Sequence, residues 1–354
     1  MSIHIWLRGE VKKNEKRSAL SPIDAKKLLS AGARVTVERS VNRIFVDQEY
    51  LDIGCVIAAT GSWPKAPEDA YILGLKELPV SIATSFTHKH IYFAHSYKGQ
   101  DNASLTLDSY RKGSGTLFDL EYLVDDNQRR IAAFGMWAGF VGSALAIDNF
   151  YYKQLEDTTY PQLKSYPNQD VLIKSILAKK EKCEKHPKVM TIGALGRCGY
   201  GASQAAKLCG LKVTGWDREE TKDGGPFKEI LDHDVFINCA LVNVKMPPFI
   251  NFEILESNKS NLSVIADVGC DPTSELNPVP LYSECTNWTK PFFKVKGFDI
   301  DLLSVDNLPS VLPLESSLDF SSQLVPHLLE LNQKEHLPTV WKNALNTFNK
   351  NMIF

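Results

Sequence analysis

Two apolar runs in the first third of the chain each end in a side chain that can carry a proton. They are Tyr71-Ile-Leu-Gly-Leu-Lys76-Glu77 and Ile91-Tyr-Phe-Ala-His95-Ser-Tyr-Lys98. An amine or an imidazole at the rim of a sheet, half removed from water, is tuned for proton transfer near neutral pH. Strand-end lysines and histidines are also common as plain surface residues, so the pair gains weight only from the rest of the chain. Further on, Val189-Met-Thr-Ile-Gly193-Ala-Leu-Gly196-Arg-Cys-Gly199-Tyr-Gly201 reads as a strand, a glycine turn and a helix start. Such a turn lets the backbone approach a pyrophosphate, whose charge the helix N-terminus stabilises. The spacing G-x-x-G-x-x-G is one residue longer than the usual G-x-G-x-x-G, so the turn must be wider. Asp217 ends the next strand, 18 positions after Gly199 (217 − 199). An acid at that place binds the adenosine ribose hydroxyls and repels a 2′-phosphate, which favours NAD over NADP. Arg218, next door, works in the opposite sense.

Strands and helices must hold these groups in place. Both opening runs read as buried strands, with four or five apolar residues and turn signals nearby. Ser21-Pro-Ile-Asp-Ala-Lys-Lys-Leu-Leu29 has a cap, a proline start and a stop at Gly32, the marks of a helix. Residues 33–38 then alternate as a strand. Residues 131–147 are apolar with glycines at 135, 139 and 142, and predict a short strand leading into a tightly packed helix. The charged stretch 179–187 predicts a solvated helix end stopped by Pro187. Strands at 189–192, 212–216, 234–239 and 263–267 then alternate with helical or loop segments, the βαβ rhythm of a doubly wound parallel sheet. The last forty residues look helical, and residues 321–331 are expected to pack on the first domain.

A chain of 354 residues is long enough for two α/β domains. Hydrophobic content of 44%, charged content of 23% and a net charge of −2 are ordinary for a globular protein and supply no basic field for nucleic acid. No apolar run approaches the roughly 18 residues that span a membrane. The first ten residues are charged too early for a signal peptide, and residues 351–354 carry no retention or peroxisomal signal. Seven cysteines without a C-x-x-C pair suit a reducing cytoplasm. Cys198 and Cys239 would both lie at strand ends of one sheet, either to meet under oxidation or as small buried residues beside a cofactor. His88-Lys-His90 with His95 lacks a carboxylate pattern, so no metal site is expected.

Together these motifs resemble the NAD-dependent, lysine-forming saccharopine dehydrogenases of the alanine dehydrogenase and transhydrogenase superfamily. The resemblance rests on Arg8-Gly-Glu10 with Lys12 and Arg17, Gly61-Ser-Trp63, Leu73-Gly-Leu-Lys-Glu77, Phe93-Ala-His95 with Tyr97-Lys98, and Gly115-Thr-Leu-Phe-Asp-Leu-Glu121. Arg129-Arg130 with Ala132-Ala-Phe-Gly135, the glycine turn and Leu308-Pro-Ser310 extend it through nearly the whole chain. It implies two Rossmann-like domains with the active site in a cleft between them: a substrate domain, 1–133 plus 313–354, and an NAD-binding domain, 134–312. It also implies oxidative cleavage of saccharopine to lysine and 2-oxoglutarate, the last step of the aminoadipate route. Lys76 then corresponds to the base for the substrate amine and His95 to the acid/base for the hydrolytic steps, with Glu77 and Glu121 as nearby carboxylates. If Lys76 and His95 face one cleft, their like charges should depress each other's pKa, and the two carboxylates should oppose that.

Arg17 and Arg130 match substrate carboxylate binders, a task a planar guanidinium suits, and Gln100 and Phe134 match further substrate contacts. Lys12 fits as well, although such a lysine is commonly solvated. Arg129, Gly196, Arg197, Asp217, Thr221, Leu241, Val268 and Asp306 match the cofactor side, and Cys198 with Cys239 matches a family cysteine pair able to bridge. The chain departs from the family at Gly269 and Cys270, where Ser and Ala are expected; Cys270 reads as a small filler before it reads as a redox-sensitive thiol. Residues 158–171 match poorly. A monomer acting on a small molecule is expected. The competing readings are an NADPH-dependent lysine–2-oxoglutarate reductase, against which Asp217 argues, an alanine dehydrogenase, and a non-catalytic NAD-binding regulator.

Overall fold

The computed structural model describes residues 2–100, 102–333 and 336–353. The chain divides into two units, Met1–Ala133 with Pro313–Phe354, and Phe134–Leu312.

The first unit is built on six parallel strands: β1 (His4–Leu7), β2 (Arg34–Glu38), β3 (Val56–Ala58), β4 (Ala70–Leu73), β5 (Lys89–Tyr92) and β6 (Thr116–Asp119). Their order across the sheet is β3-β2-β1-β4-β5-β6. The chain winds one way from β1 to β3, then returns to β4 on the other side of β1. The carboxyl ends of β1 and β4 therefore flank the point where the winding reverses, which is where open α/β sheets bind ligands. In register, Leu7 lies opposite Leu73, and Leu73 opposite Ile91. The catalytic candidates are thus carried out of neighbouring strands at one level. Ser21 caps the helix Pro22–Ser30, its Oγ accepting from the Asp24 N–H at 3.2 Å.

The C-terminal helices complete this unit. From the helix Pro313–Gln333, Ser317 Oγ accepts from Ser18 N–H and Ser321 Oγ from Ser21 N–H, both at 2.9 Å. The helix Thr339–Met352 buries Trp341 edge-on against Phe118 at 5.5 Å.

The second unit holds β7 (Val189–Ile192), β8 (Val213–Trp216), β9 (Val235–Asn238), β10 (Val264–Asp267), β11 (Phe292–Lys294) and β12 (Asp301–Leu303). Their order is β11-β12-β10-β9-β7-β8, parallel except for β11, which runs antiparallel to β12. Here the winding reverses at β7. Two helices, Gly135–Leu155 and Arg197–Leu208, cross very closely against this sheet. A Cβ added at Gly139 would stand 1.9 Å from the Cys198 carbonyl oxygen, so that crossing tolerates only glycine.

Two expectations are corrected. Residues 131–134 form no strand: Ile131 N–H bonds Leu123 O at 3.0 Å, but the pairing in this region is limited to one isolated bridge, Val124 with Arg130. The helix Gln169–Lys180 ends well before Pro187, because Glu181 to Cys183 already fold back in turns onto Leu177, Lys179 and Lys180 carbonyls.

Candidate active site

Lys76 leaves β4 with its peptide held on both sides. Glu10, just beyond β1, accepts from Leu75 N–H at 2.7 Å and from Lys76 N–H at 3.0 Å. The Arg8 guanidinium donates to the Lys76 carbonyl and, at 3.3 Å, to Glu10. The backbone that aims the lysine is therefore fixed by charged groups from the adjacent strand, a precision that a free loop end would lack. Among the described residues the Lys76 amine forms no ion pair.

His95 stands at the exit of β5 with a positive φ of 48°, which a non-glycine residue adopts only when its surroundings hold it there. Its Nδ1 meets Glu77 Oε1, and its ring stacks on Phe93 at a centroid distance of 6.4 Å. The other Glu77 oxygen pairs with Lys12 Nζ at 2.6 Å, so Lys12 is engaged here, although its side chain is half exposed. Burial pushes the Glu77 carboxyl up, but the hydrogen bonds from His95 and Lys12 outweigh it and hold the group well below the usual carboxylate range. The hydrogen bond to Glu77 raises the His95 pKa, against the opposing effects of burial and of Lys76. The expected mutual depression is thus overturned for His95. A contacting carboxylate outweighs a lysine whose effect on the ring is the weakest of those acting.

A cavity of about 80 Å³ opens beside this ring, with Gln100, Asp119 and Glu121 among its walls. Ser96 Oγ, Tyr97 OH and Asp119 Oδ2, also from its walls, are buried without a hydrogen-bond partner among the described residues. Walls with so much unspent hydrogen-bonding capacity suit a polar occupant. Asp119 is the residue that sequence reasoning missed. Burial pushes its carboxyl up to about 6, and its charge contributes to raising the His95 pKa. Its place at the last position of β6, two residues before Glu121, is the signal that could have found it.

Glu121 reaches the same cavity, yet its carboxylate pairs with Arg130 at 2.8 Å and not with the lysine or the histidine. Its direct partner is therefore the arginine. Arg17 is buried, and its Nε and Nη2 donate to the two Glu15 oxygens at 2.9 and 2.7 Å. Gln100 accepts from Lys98 N–H at 2.8 Å. His88 and His90 are structural: His88 Nε2 lies 3.0 Å from the Ala66 carbonyl, and His90 packs edge-on to Trp63 at 5.1 Å.

In the second unit the glycine turn follows β7. A Cβ at Gly199 would come within 2.1 Å of the Gly193 carbonyl, so the turn closes only without one. Gly196 caps the helix Arg197–Leu208, whose first turn carries Arg197 and Cys198. Asp217 directly follows β8, and its Oδ2 accepts from Leu195 N–H in the turn at 2.8 Å. The acid is thus tied to the loop that would cradle a pyrophosphate, and these residues fit a dinucleotide. Thr221 is buried and donates to the Asp217 carbonyl at 2.8 Å. Leu241 lies exposed beyond β9, Val268 follows β10, and Asp306 lies beyond β12. Cys198 and Cys239 are adjacent free thiols joined by a hydrogen bond, not a disulfide. Phe134 immediately precedes the helix Gly135–Leu155, and Arg129 belongs to the first unit, where its N–H bonds Asp125 at 2.8 Å.

The models for the alanine dehydrogenase/PNT N-terminal and C-terminal domains match residues 6–141 and 227–351. Saccharopine dehydrogenase [NAD(+), L-lysine-forming] of Yarrowia lipolytica is 44% identical, the match covering 99% of this chain and 98% of that protein. The Emericella nidulans protein of the same name is 47% identical, over 98% and 96%. The chain belongs to the NAD-dependent, lysine-forming saccharopine dehydrogenase family. Solved structures of an L-alanine dehydrogenase (TM-score 0.68, 18% identity, 99% and 94% covered) and of a Sinorhizobium meliloti transhydrogenase (TM-score 0.64, 19%, 93% and 94%) share its fold. Most of the motifs that suggested the saccharopine dehydrogenase family are strand exits, turns or helix starts, while residues 115–121 include the whole of β6. Strand exits, turns and helix starts are the places where this fold exposes side chains to a ligand.

Proposed function

We propose that this chain oxidatively cleaves L-saccharopine to L-lysine and 2-oxoglutarate with NAD, reversibly, as the final step of lysine biosynthesis by the aminoadipate route. The observation that carries the reading is the clamped Lys76 beside the Glu77–His95 pair at the reversal point of a parallel sheet, in a chain matched to that family over 99% of its residues. Saccharopine is a secondary amine with three carboxylates, so its oxidation needs a base at nitrogen, cationic anchors and a group to manage water. Lys76 takes the ammonium proton, and His95, oriented by Glu77, moves protons as water adds at the oxidised carbon. Arg17, Arg130 and Lys12 bind carboxylates, with Gln100 and Phe134 as further contacts. Asp217, Thr221, Gly196, Arg197, Leu241, Val268, Asp306 and Arg129 hold the dinucleotide. NAD, when bound, supplies the hydride acceptor.

We place the enzyme in the cytoplasm, a reducing compartment that suits its seven cysteines, and take it to act as a monomer on a small-molecule substrate. An absorbance assay for NADH, run with saccharopine and separately with alanine, tests the reading. Turnover is expected with saccharopine alone. In the reverse direction NADH is expected to serve far better than NADPH. Equal turnover with NADPH would favour the lysine–2-oxoglutarate reductase reading, and tight NAD binding without turnover would favour a regulator.

A further inference from the structure

A second pair of thiols lies in the NAD-proposed unit, apart from Cys198 and Cys239. Cys270 Sγ is 3.1 Å from Cys285 Sγ and 3.2 Å from the Ser304 carbonyl oxygen. Cys285 is exposed, whereas Cys270 is partly buried, and its thiol is pushed up chiefly by that burial. The two residues come from different loops, the exit of β10 and the segment leading to β11.

Both loops are pinned next to the sulfurs. Cys270 holds a φ of 50° in the turn after Asp267, whose Oδ1 accepts from Gly269 N–H at 3.2 Å. On the facing loop, Tyr282 OH donates to Asp267 Oδ2 at 2.6 Å and accepts from Ser304 Oγ at 2.9 Å. Thr286, the neighbour of Cys285, exchanges two bonds with Ser304: Thr286 N–H to Ser304 O and Ser304 N–H to Thr286 Oγ1, each at 2.9 Å. The sulfurs are thus held near one another by a network that Cys270 joins only through its contact with the Ser304 carbonyl. A disulfide bond is about 2.05 Å long, so closure asks for only about 1 Å of movement.

We propose that Cys270 and Cys285 form a dithiol modification site that reacts with low-molecular-weight disulfides, such as oxidised glutathione, and closes to an intramolecular disulfide. Cys285, the accessible sulfur, loses its proton and attacks the small disulfide; one thiolate leaves, and a mixed disulfide forms on Cys285. Cys270 then loses its proton and attacks the Cys285 sulfur, expelling the second small thiol. Two protein thiols are oxidised while one disulfide is reduced to two thiols, so electrons and protons balance. Burial makes Cys270 a poor first nucleophile, and its position opposite Cys285 makes it the resolving one. The resulting bond would staple the turn after β10 to the loop before β11.

The native chain is incubated with oxidised glutathione, free thiols are then alkylated, and peptides are mapped by mass spectrometry without reduction. A peptide pair joined through Cys270 and Cys285, lacking glutathione, is expected in the unmodified chain and equally in Cys198→Ser. Cys270→Ser is expected to retain glutathione on Cys285, and Cys285→Ser to leave Cys270 alkylated as a free thiol. Persistent glutathione on Cys285 with Cys270 alkylated in the unmodified chain would overturn the proposal. So would oxidation confined to Cys198 and Cys239 while the second pair stays reduced.

Discussion

The two units repeat one architectural rule and fill it with opposite chemistry. In each, a parallel sheet reverses its winding, at β1/β4 in the first and at β7 in the second, and the candidate residues stand at the carboxyl ends beside that reversal. In the first unit the exits carry charge: Glu10 and Arg8 grip the Lys76 peptide, Lys12 and His95 share Glu77, and Glu15 holds Arg17. In the second, the exits carry backbone, small residues and thiols, with Asp217 as the acid anchored to the turn. Proton transfer depends on side chains whose pKa values neighbours can set. Holding a pyrophosphate depends on bare N–H groups and on the absence of side chains. The difference teaches that the fold supplies the location, and the residue types at the exits decide the task.

If that contrast is right, the largest loss of rate should come from a charge change in the first unit. Lys76→Met is expected to lower kcat/KM by about 100-fold or more, in the range of general acid–base contributions. NAD affinity, read by fluorescence titration, should stay within about twofold; activity retained within a few-fold would remove Lys76 from proton transfer. The largest loss of stability should come from adding one methyl group in the second unit. Gly139→Ala forces its Cβ onto the Cys198 carbonyl and should cost about 1–3 kcal/mol in urea unfolding, as overpacking does. An unchanged midpoint would show that the helix crossing can relax.

A more moderate effect is expected at Asp217. Its change to Ala should weaken NAD by about tenfold, or about 1.4 kcal/mol, and narrow the preference over NADP, both measurable by titration with the two cofactors. The smallest effect is a shift in a titration curve. Glu77 raises the His95 pKa above the ordinary 6.5, so the stability this gives is full below the unfolded pKa and is lost as pH rises through the folded one. The depressed Glu77 contributes above its unfolded value near 4.5 and loses that contribution as pH falls. The pair is therefore strongest between the two. Glu77→Gln should move the His95 titration, followed by NMR, to lower pH, and Asp119→Asn should move it the same way by less. A shift upward in either variant would contradict the electrostatics described.

Most strands were legible because buried parallel strands read as short apolar runs, and the residues at their ends were legible because apolar runs stop abruptly at Lys76, His95 and Asp217. What local pattern could not reveal was pairing between exits. Lys12 with Glu77, Asp119 beside His95, and Cys270 against Cys285 are meetings of loops separated by 15 residues or more, set by strand order. Glu121 illustrates the same limit. Its place near His95 could be inferred, but its choice of Arg130 depended on the path from Val124 to Arg130. Residues 131–134 read as a strand because apolar residues fit one, but their pairing goes no further than the single bridge of Val124 with Arg130.

The docking of the helices Pro313–Gln333 and Thr339–Met352 on the first sheet also sets an order of assembly on the ribosome. Residues 134–312 hold all the strands of their sheet in one continuous stretch of chain. The first 133 residues emerge earlier yet must wait, with Phe118 lacking the Trp341 ring and Ser18 and Ser21 lacking their serine partners. Of the two units, the one whose residues come earlier in the sequence is thus the one completed later, and its apolar surface is the one that nascent-chain chaperones would meet for longer.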